Sequence, residues 1–357
     1  MNRSAALGRA EARLRQLCCL GLPGPVLAAP LFAELHNVVP HETCLHLWVG
    51  PQGPVDAYFN VRDVGESVQR YADAYFKRLE CEVWPTMEEA LRTEVGPHHV
   101  HQVLRIPKSA YHRHTLYNEV LLRSGTHTFV RMMVRDGGAP AGAFNVGRGP
   151  RDPDFDDADL RTLARLEPFI AHALRSREPM ATQETCDADT ALLVLDREGK
   201  RRWQSASAQQ LLALAAGSAL AQPGLPAGLQ RAVRALLQVE TGDADAAVPR
   251  WCTRNAWGSF VARAYWLAPA EPAASLIGVH LERRVPLALG LYEKVRDANL
   301  PPRQGEVCLR LALGRTQEQI ASELGVSRNT VVYHRRQIYN RFGAESREGL
   351  RERLLSQ

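Results

Sequence analysis

Lysine is nearly missing from this chain of 357 residues. Of 44 basic side chains only Lys77, Lys108, Lys200 and Lys294 are lysine; the other 40 are arginine. A bias of that size reflects coding preference, so an arginine is read as functional only where its surroundings argue for it. Cysteine is sparse and odd in number, at 18, 19, 44, 81, 186, 252 and 308, with no Cys-x-x-Cys spacing. That pattern argues against a disulfide framework and for reduced thiols in a cytosolic protein. Nothing around Cys18-Cys19 predicts a depressed thiol pKa, so no redox switch is expected there. No apolar run approaches the ~20 residues of a membrane span. Leu17–Pro30 imitates an export signal, but Pro23, Gly24 and Pro25 interrupt it and Glu11 lies in its basic flank. It reads as a helical lead-in. Also missing are a Gly-rich loop ending in Gly-Lys-Ser/Thr, His-Glu-x-x-His and Gly-x-Ser-x-Gly. These absences predict no enzyme and nominate no catalytic residue.

What is present suffices for real cores. The hydrophobic share is 45%, and the length suits two or three domains at roughly 100–200 residues each. Charge is unevenly placed. Leu300–Gln357 holds ten Arg and no Lys against six Glu, a net +4, while the whole chain is +5. The preceding 299 residues therefore carry only +1. Concentrated positive charge is the footprint of phosphate binding.

The same stretch has the punctuation of four short helices. The first spans about Arg303–Leu313, with Val307 and Leu311 on one face, and stops at Gly314. Thr316-Gln317-Glu318-Gln319 has capping-box spacing and opens the second, whose inward face is Ile320, Ala321 and Leu324. Gly325 ends it. Ser327 caps the third, Arg328 to about Phe342. There Val331, His334, Ile338 and Phe342 recur at spacings of three and four and face inward. Asn329, Val332, Tyr333, Arg336 and Asn340 face outward, a mixture unlike a merely solvating surface. Arg336 suits a guanine edge, and Val332 or Tyr333 a thymine methyl.

In order along about fifty residues stand Leu300-Pro301-Pro302-Arg303, Glu306-Val307, Gly314, Glu318, Ile320-Ala321, Leu324-Gly325-Val326-Ser327, Thr330-Val331, His334, Ile338-Tyr339, Arg341 and Ser346-Arg347. This series resembles the LuxR-type helix-turn-helix. The resemblance implies a transcription regulator, usually dimeric, whose third helix enters the major groove of double-stranded DNA. It carries base contacts onto Val332, Tyr333 and Arg336. Contacts to the DNA backbone fall to Thr330 and its neighbours; Thr316, Ser327, Arg328, Asn329, Arg335 and Asn340 complete the expected interface. Four positions depart from the pattern. Gln304 replaces a usual Glu, Cys308 and Phe342 replace Leu, and Val332 stands where a basic residue is common. The Trp, Tyr and Asp arrangement of acyl-homoserine-lactone-binding domains is absent upstream, as are the spaced acids of a receiver domain.

Upstream, residues 1–176 read as an N-terminal helix, a second helix Ala28–Val39, and strands Thr43–Val49 and Val55–Asn60 about a turn at 50–54. Helices follow at Ser67–Glu80, Thr86–Thr93 and Ser109–Ser124. Strands Thr126–Val134 and Ala141–Gly147 flank Gly137-Gly138, and helix Asp156–Arg175 closes the unit, kinked or divided by Pro168. Tyr117-Asn118-Glu119-Val120, Gly142-Ala143-Phe144-Asn145-Val146 and Phe155 followed by Leu160, Leu163 and Leu166-Glu167-Pro168 are similar to a GAF-type sensory domain. After a hinge at Arg177–Thr190, residues 185–284 give a strand from Ala191, a turn at Asp196–Lys200, and a strand Arg201–Gln204. Helices Ser207–Ala216 and Leu229–Val239 flank a Pro/Gly loop at Gly217–Gly228, and strands Arg250–Thr253, Ser259–Leu267 and Ser275–Glu282 follow. The opening strand–Asp–Gly turn–strand–helix resembles a PAS-like fold. Residues 285–299 form a connecting helix whose Leu287, Leu291 and Val295 either pair with a second copy or pack on its own sheet.

Five of twelve histidines fall at His98, His99, His101, His112 and His114. An apolar stretch and Pro107 separate them into two groups with no acid between, so no metal site is expected. The acids Asp152–Asp159 lack the Gly and final Glu of a calcium loop and read as favourable to a helix N-terminus.

The expected architecture is therefore multi-domain: α/β sensory domains, GAF-like (1–176) then PAS-like (185–284), a connecting helix (285–299), and an all-α four-helix LuxR-type domain (300–357). The expected function is a cytoplasmic, dimeric, sequence-specific regulator acting with RNA polymerase, modulated by a small-molecule effector whose identity the sequence does not give. The alternative is a constitutive DNA binder whose upstream domains only dimerise or contact proteins.

Overall fold

Two five-stranded antiparallel sheets of identical strand order precede a helical C-terminal unit. The structure is a computed structural model. It describes all residues except 1–2, 51–52, 61–66, 68–69, 137, 176–184, 218–223, 242–245, 269–274 and 357. The expected turn at 50–54, the Gly137-Gly138 turn, the start of the Ser67–Glu80 helix, the hinge from 177 and the loop from 217 therefore lie partly outside the described residues.

The first sheet contains β1 (Thr43–Gly50), β2 (Gly53–Asn60), β3 (Pro97–His99), β4 (Thr128–Asp136) and β5 (Ala139–Arg148), in the order β2-β1-β5-β4-β3. On β1 the alternation resolves with Cys44, His46 and Trp48 buried and Leu45, Leu47 and Val49 half-buried. The bulkiest side chain takes the core face, and its indole is satisfied there: Trp48 Nε1 donates to the Leu174 carbonyl at 2.7 Å. Helices α1 (Arg3–Cys18) and α2 (Gly24–His36) pack on the same side. The second helix begins four residues earlier than expected because Pro25 suits a first turn and runs on through Pro30. Gly24 is required: a Cβ there would sit 2.8 Å from the Leu174 carbonyl oxygen.

Three expectations for this domain change. α3 (Met87–Thr93) has the capping box at Thr86 that its sequence suggests. The helix expected over Ser109–Ser124 is instead two pieces, a four-residue α-helix, Lys108–Tyr111, and a π-helical segment, Leu116–Leu121. Asn118 Nδ2 donates to the carbonyls of His112 and His114, and His114 Nδ1 accepts the Leu116 amide. These side chains take backbone partners that one continuous helix would use. Likewise the expected Ser67–Glu80 helix is π-helical over Tyr71–Leu79. The closing helix, α4 (Asp157–Leu174), runs through Pro168 as one element, so the division expected there does not occur.

The second sheet contains β6 (Thr185–Leu195), β7 (Arg201–Gln204), β8 (Arg250–Asn255), β9 (Gly258–Leu267) and β10 (Leu276–Pro286), in the order β7-β6-β10-β9-β8. Helices α5 (Ala208–Ala215) and α6 (Ala227–Glu240) cover one face. β6 begins six residues before the apolar run, because β10 is long enough to pair it back to Thr185. Two cross-strand ion pairs accompany this polar extension, Asp187 with Arg284 and Asp189 with Arg283, both at 3.0 Å.

Trp257, in the β8–β9 turn, joins the two halves. It is 1% exposed, meets Trp48 edge-on at 5.4 Å, and donates through Nε1 to Asp56 Oδ2 at 3.1 Å. One hydrophobic core therefore continues from α1 through both sheets into the C-terminal unit. The connecting helix, α7 (Leu287–Asp297), buries Leu287, Leu291 and Val295 within the single chain. Its neighbours are α1, β6, β10 and two helices of the C-terminal unit. This corrects one of the two readings of that stripe: it is used internally and is not free to pair with a second copy. Among the described residues no helix is long and apolar enough to cross a membrane.

Candidate nucleic-acid interface

The C-terminal unit is built from α8 (Pro302–Ala312), α9 (Gln317–Leu324), α10 (Arg328–Phe342) and α11 (Arg347–Leu355). Each boundary has a local cause. Thr316 Oγ1 accepts the Gln319 amide at 3.2 Å, and the Thr316 amide donates to Gln319 Oε1 at 2.9 Å. Gly325 and Gly343 end α9 and α10 at φ 62° and 63°, the left-handed conformation that glycine adopts without strain. Ser327 Oγ accepts the Thr330 amide at 3.1 Å, which sets the turn between α9 and α10.

The two faces of α10 separate as its spacing requires. Val331, Ile338 and Phe342 are buried and His334 is half-buried. Asn329, Val332, Tyr333, Arg336 and Asn340 are exposed on the other side. Tyr333 is 59% exposed and Val332 37%. Large apolar surface left open on an otherwise polar helix face is the informative case, and here it adjoins the Arg336 guanidinium, which has no ion-pair or hydrogen-bond partner among the described residues.

The remaining expected contacts have prior engagements. Arg328 Nε pairs with Glu318 Oε1 at 2.8 Å. Hydrogen bonding to its own amide, with Arg328 beside it, holds the Glu318 carboxyl below the usual range. Arg335 is half-buried and lies over the Tyr339 ring at 5.8 Å. The hydroxyls of Thr316, Ser327 and Thr330 belong first to caps. Cys308 is buried and its thiol is pushed up to about 12 by burial, so it packs as a small apolar group.

Sequence reasoning missed the supports behind this face. Gln337 Nε2 donates to the Tyr333 hydroxyl at 2.6 Å, and Gln304 Nε2 donates to Gln337 Oε1 at 2.6 Å. The i, i+4 spacing of Tyr333 and Gln337 carried that signal, as did the unusual Gln304. Arg341 donates to the Ala298 carbonyl at 2.6 Å and Arg347 to the Gly314 carbonyl at 2.9 Å. These two arginines brace the unit.

The histidine segment also differs from its sequence reading. An acidic partner does exist, supplied from a distant loop. His99 Nε2 lies 2.7 Å from Asp154 Oδ1, to which Thr128 Oγ1 donates at 2.9 Å. His99, His101 and Asp154 bring one potential ligand atom each to within 4.8 Å of one another. His99 Nδ1 accepts the His101 amide at 3.1 Å, so the neutral ring carries its proton on Nε2 and donates it to Asp154. An ion at Nε2 must displace both that proton and the cap. Burial opposes ionisation of Asp154, but the His99 and Thr128 hydrogen bonds prevail and lower it to about 2.

A helix-turn-helix DNA-binding unit is the class that this geometry defines. Residues 298–351 match the family described as bacterial regulatory proteins, luxR family, and the match supports a DNA-binding transcription regulator. No curated protein matches the chain. Among solved structures, the E. coli DhaR(N)–DhaL complex aligns at 12% identity over 79% of this chain and 90% of that one, with a TM-score of 0.25. The sensor region of a sensor histidine kinase aligns at 14% identity over 72% and 92%, with a TM-score of 0.18. Similarities this low carry no argument about the two sheets.

Proposed function

We propose that this chain is a sequence-specific transcription regulator that binds double-stranded DNA as a homodimer. α10 enters the major groove, with Arg336, Tyr333 and Val332 against base edges. Asn329, Asn340 and the surrounding arginines meet the backbone. The observation that carries this reading is the exposed mixed face of α10 on a unit that holds nearly all the net positive charge. The upstream sheets are GAF-like and PAS-like sensory domains, and a small molecule bound there changes operator affinity. Their shared strand order supports two related sensory units, and the continuous core supplies a physical route to the DNA-binding unit. Regulation then proceeds through RNA polymerase at the bound promoter.

The test is the salt dependence of full-chain binding to duplex DNA. Phosphate neutralisation predicts a linear fall of log affinity with log salt, with a slope of about −0.9 per neutralised phosphate. Affinity that is flat with salt would contradict a DNA interface.

A further inference from the structure

A cavity of about 40 Å³ lies where α1 meets both the connecting helix and the first helix of the DNA-binding unit. Arg9, Arg13, Gln16, Arg296, Asn299 and Glu306 are among its lining residues. At about 10–15 Å³ per water-sized probe, this is room for roughly three oxygen-sized groups.

The lining is short of negative charge. Arg13 and Arg296 share one buried carboxylate, Glu34, at 3.2 and 3.6 Å, and Arg296 also holds Asp297 at 2.9 Å. Glu306 is engaged by Arg303 at 2.8 Å. Arg9 has no hydrogen-bond or ion-pair partner among the described residues, so its charge stands uncompensated. Gln16 adds a second, independent deficit: its Nε2 is buried with no hydrogen-bond partner among the described residues. A buried donor left unpaired is costly and calls for an acceptor.

We propose that this cavity binds the oxyanionic head group, phosphate or carboxylate, of a small metabolite. Arg9 and the Gln16 amide are its primary donors, with Arg13 and Arg296 adding field from behind. Planar guanidinium forks match both kinds of oxyanion. The proposal rests on the regulator reading and moves its effector from the sheets to the junction of α1 with the DNA-binding unit, naming also what the effector carries. The place suits coupling. Asn299 is the one non-glycine residue at positive φ among the described residues, at 49°, and it forms the joint between α7 and α8. Across the same junction the Tyr292 hydroxyl donates to the Arg13 carbonyl at 3.1 Å. An anion held here ties α1 to both sides of the joint and fixes the DNA-binding unit against the first domain.

The experiment uses the full chain, with inorganic phosphate and acetate titrated separately at constant ionic strength. Thermal unfolding and calorimetry are the readouts. The expected result is saturable binding of at least one of these ions, and which one it is identifies the head group. Arg9→Gln should weaken that binding by about tenfold, the loss expected for one charge-assisted hydrogen bond. Because Arg9 holds no ion pair, this variant should fold normally. Arg234→Gln, on the exposed side of α6, should bind as the native chain does. No saturable binding of either ion, or equal binding by Arg9→Gln, overturns the site. Operator affinity measured with and without the bound ion is read separately: unchanged affinity leaves the site standing and removes its regulatory role.

Discussion

The Gln337 side-chain amide donates to the Tyr333 hydroxyl at 2.6 Å, one turn back along α10. Gln304, on a different helix, fixes Gln337 in turn. Tyr333 is therefore aimed rather than free, although more than half of its surface is exposed. Gln304→Ala should leave affinity for random duplex unchanged. It should relax discrimination at the base pair facing Tyr333 by about 0.5–1.5 kcal/mol, the usual net value of one hydrogen bond. Competition among operator variants altered at that base pair would show it, and undiminished discrimination would contradict the relay.

The caps of the DNA-binding unit should affect stability more than base preference. Thr316→Ala and Ser327→Ala each remove an acceptor for a helix N-terminal amide. Each should cost about 1 kcal/mol. Denaturant titration measures the loss, and the base preferences selected from mixed sequences should stay the same.

Trp257 ties the two sheets together, so Trp257→Ala should cost about 3–5 kcal/mol. If the continuous core makes one cooperative unit, native unfolding follows a single transition. In the variant, far-ultraviolet and tryptophan-fluorescence transitions should separate. Coincident transitions at native stability would show that the junction contributes little.

Two buried histidines set an acid limit. Burial lowers His46 from 6.5 to about 3 and His41 from 6.5 to about 4. Both are neutral when folded, whereas the unfolded chain protonates them near 6.5, so it binds more protons in this window. Stability should be fully present above pH 6.5 and fall as pH drops toward 4, by up to about 1.4 kcal/mol per pH unit for each histidine. His46→Leu should flatten that slope in thermal unfolding between pH 6.5 and 4; an unchanged slope would place the acid sensitivity elsewhere.

The C-terminal unit was legible because its signals are local. A Thr cap with Gln three residues on, a glycine at a helix end and apolar residues at spacings of three and four operate within one turn of chain. Most upstream strands were legible for the same reason. What stayed hidden depends on partners distant in sequence. Nothing near His99 announces Asp154, and nothing in the polar start of β6 announces that β10 reaches it. The stripe Leu287, Leu291 and Val295 shows that a face is buried without showing against what. Of the two outcomes expected at Pro168, a kink or a division, the division does not occur, because packing of α4 on the first sheet holds the helix together. The split at 112–115 arises where histidine and asparagine side chains compete for backbone groups, which periodicity does not register.

The most direct test of the central claim is selection of bound duplexes from a random pool by the full chain and by Arg336→Ala in parallel. The account predicts an enriched inverted repeat for the native chain, with a guanine preference that the variant loses at a cost of about 1–3 kcal/mol. Enrichment of the same sequence, equally strongly, by Arg336→Ala would contradict base reading through the exposed face of α10.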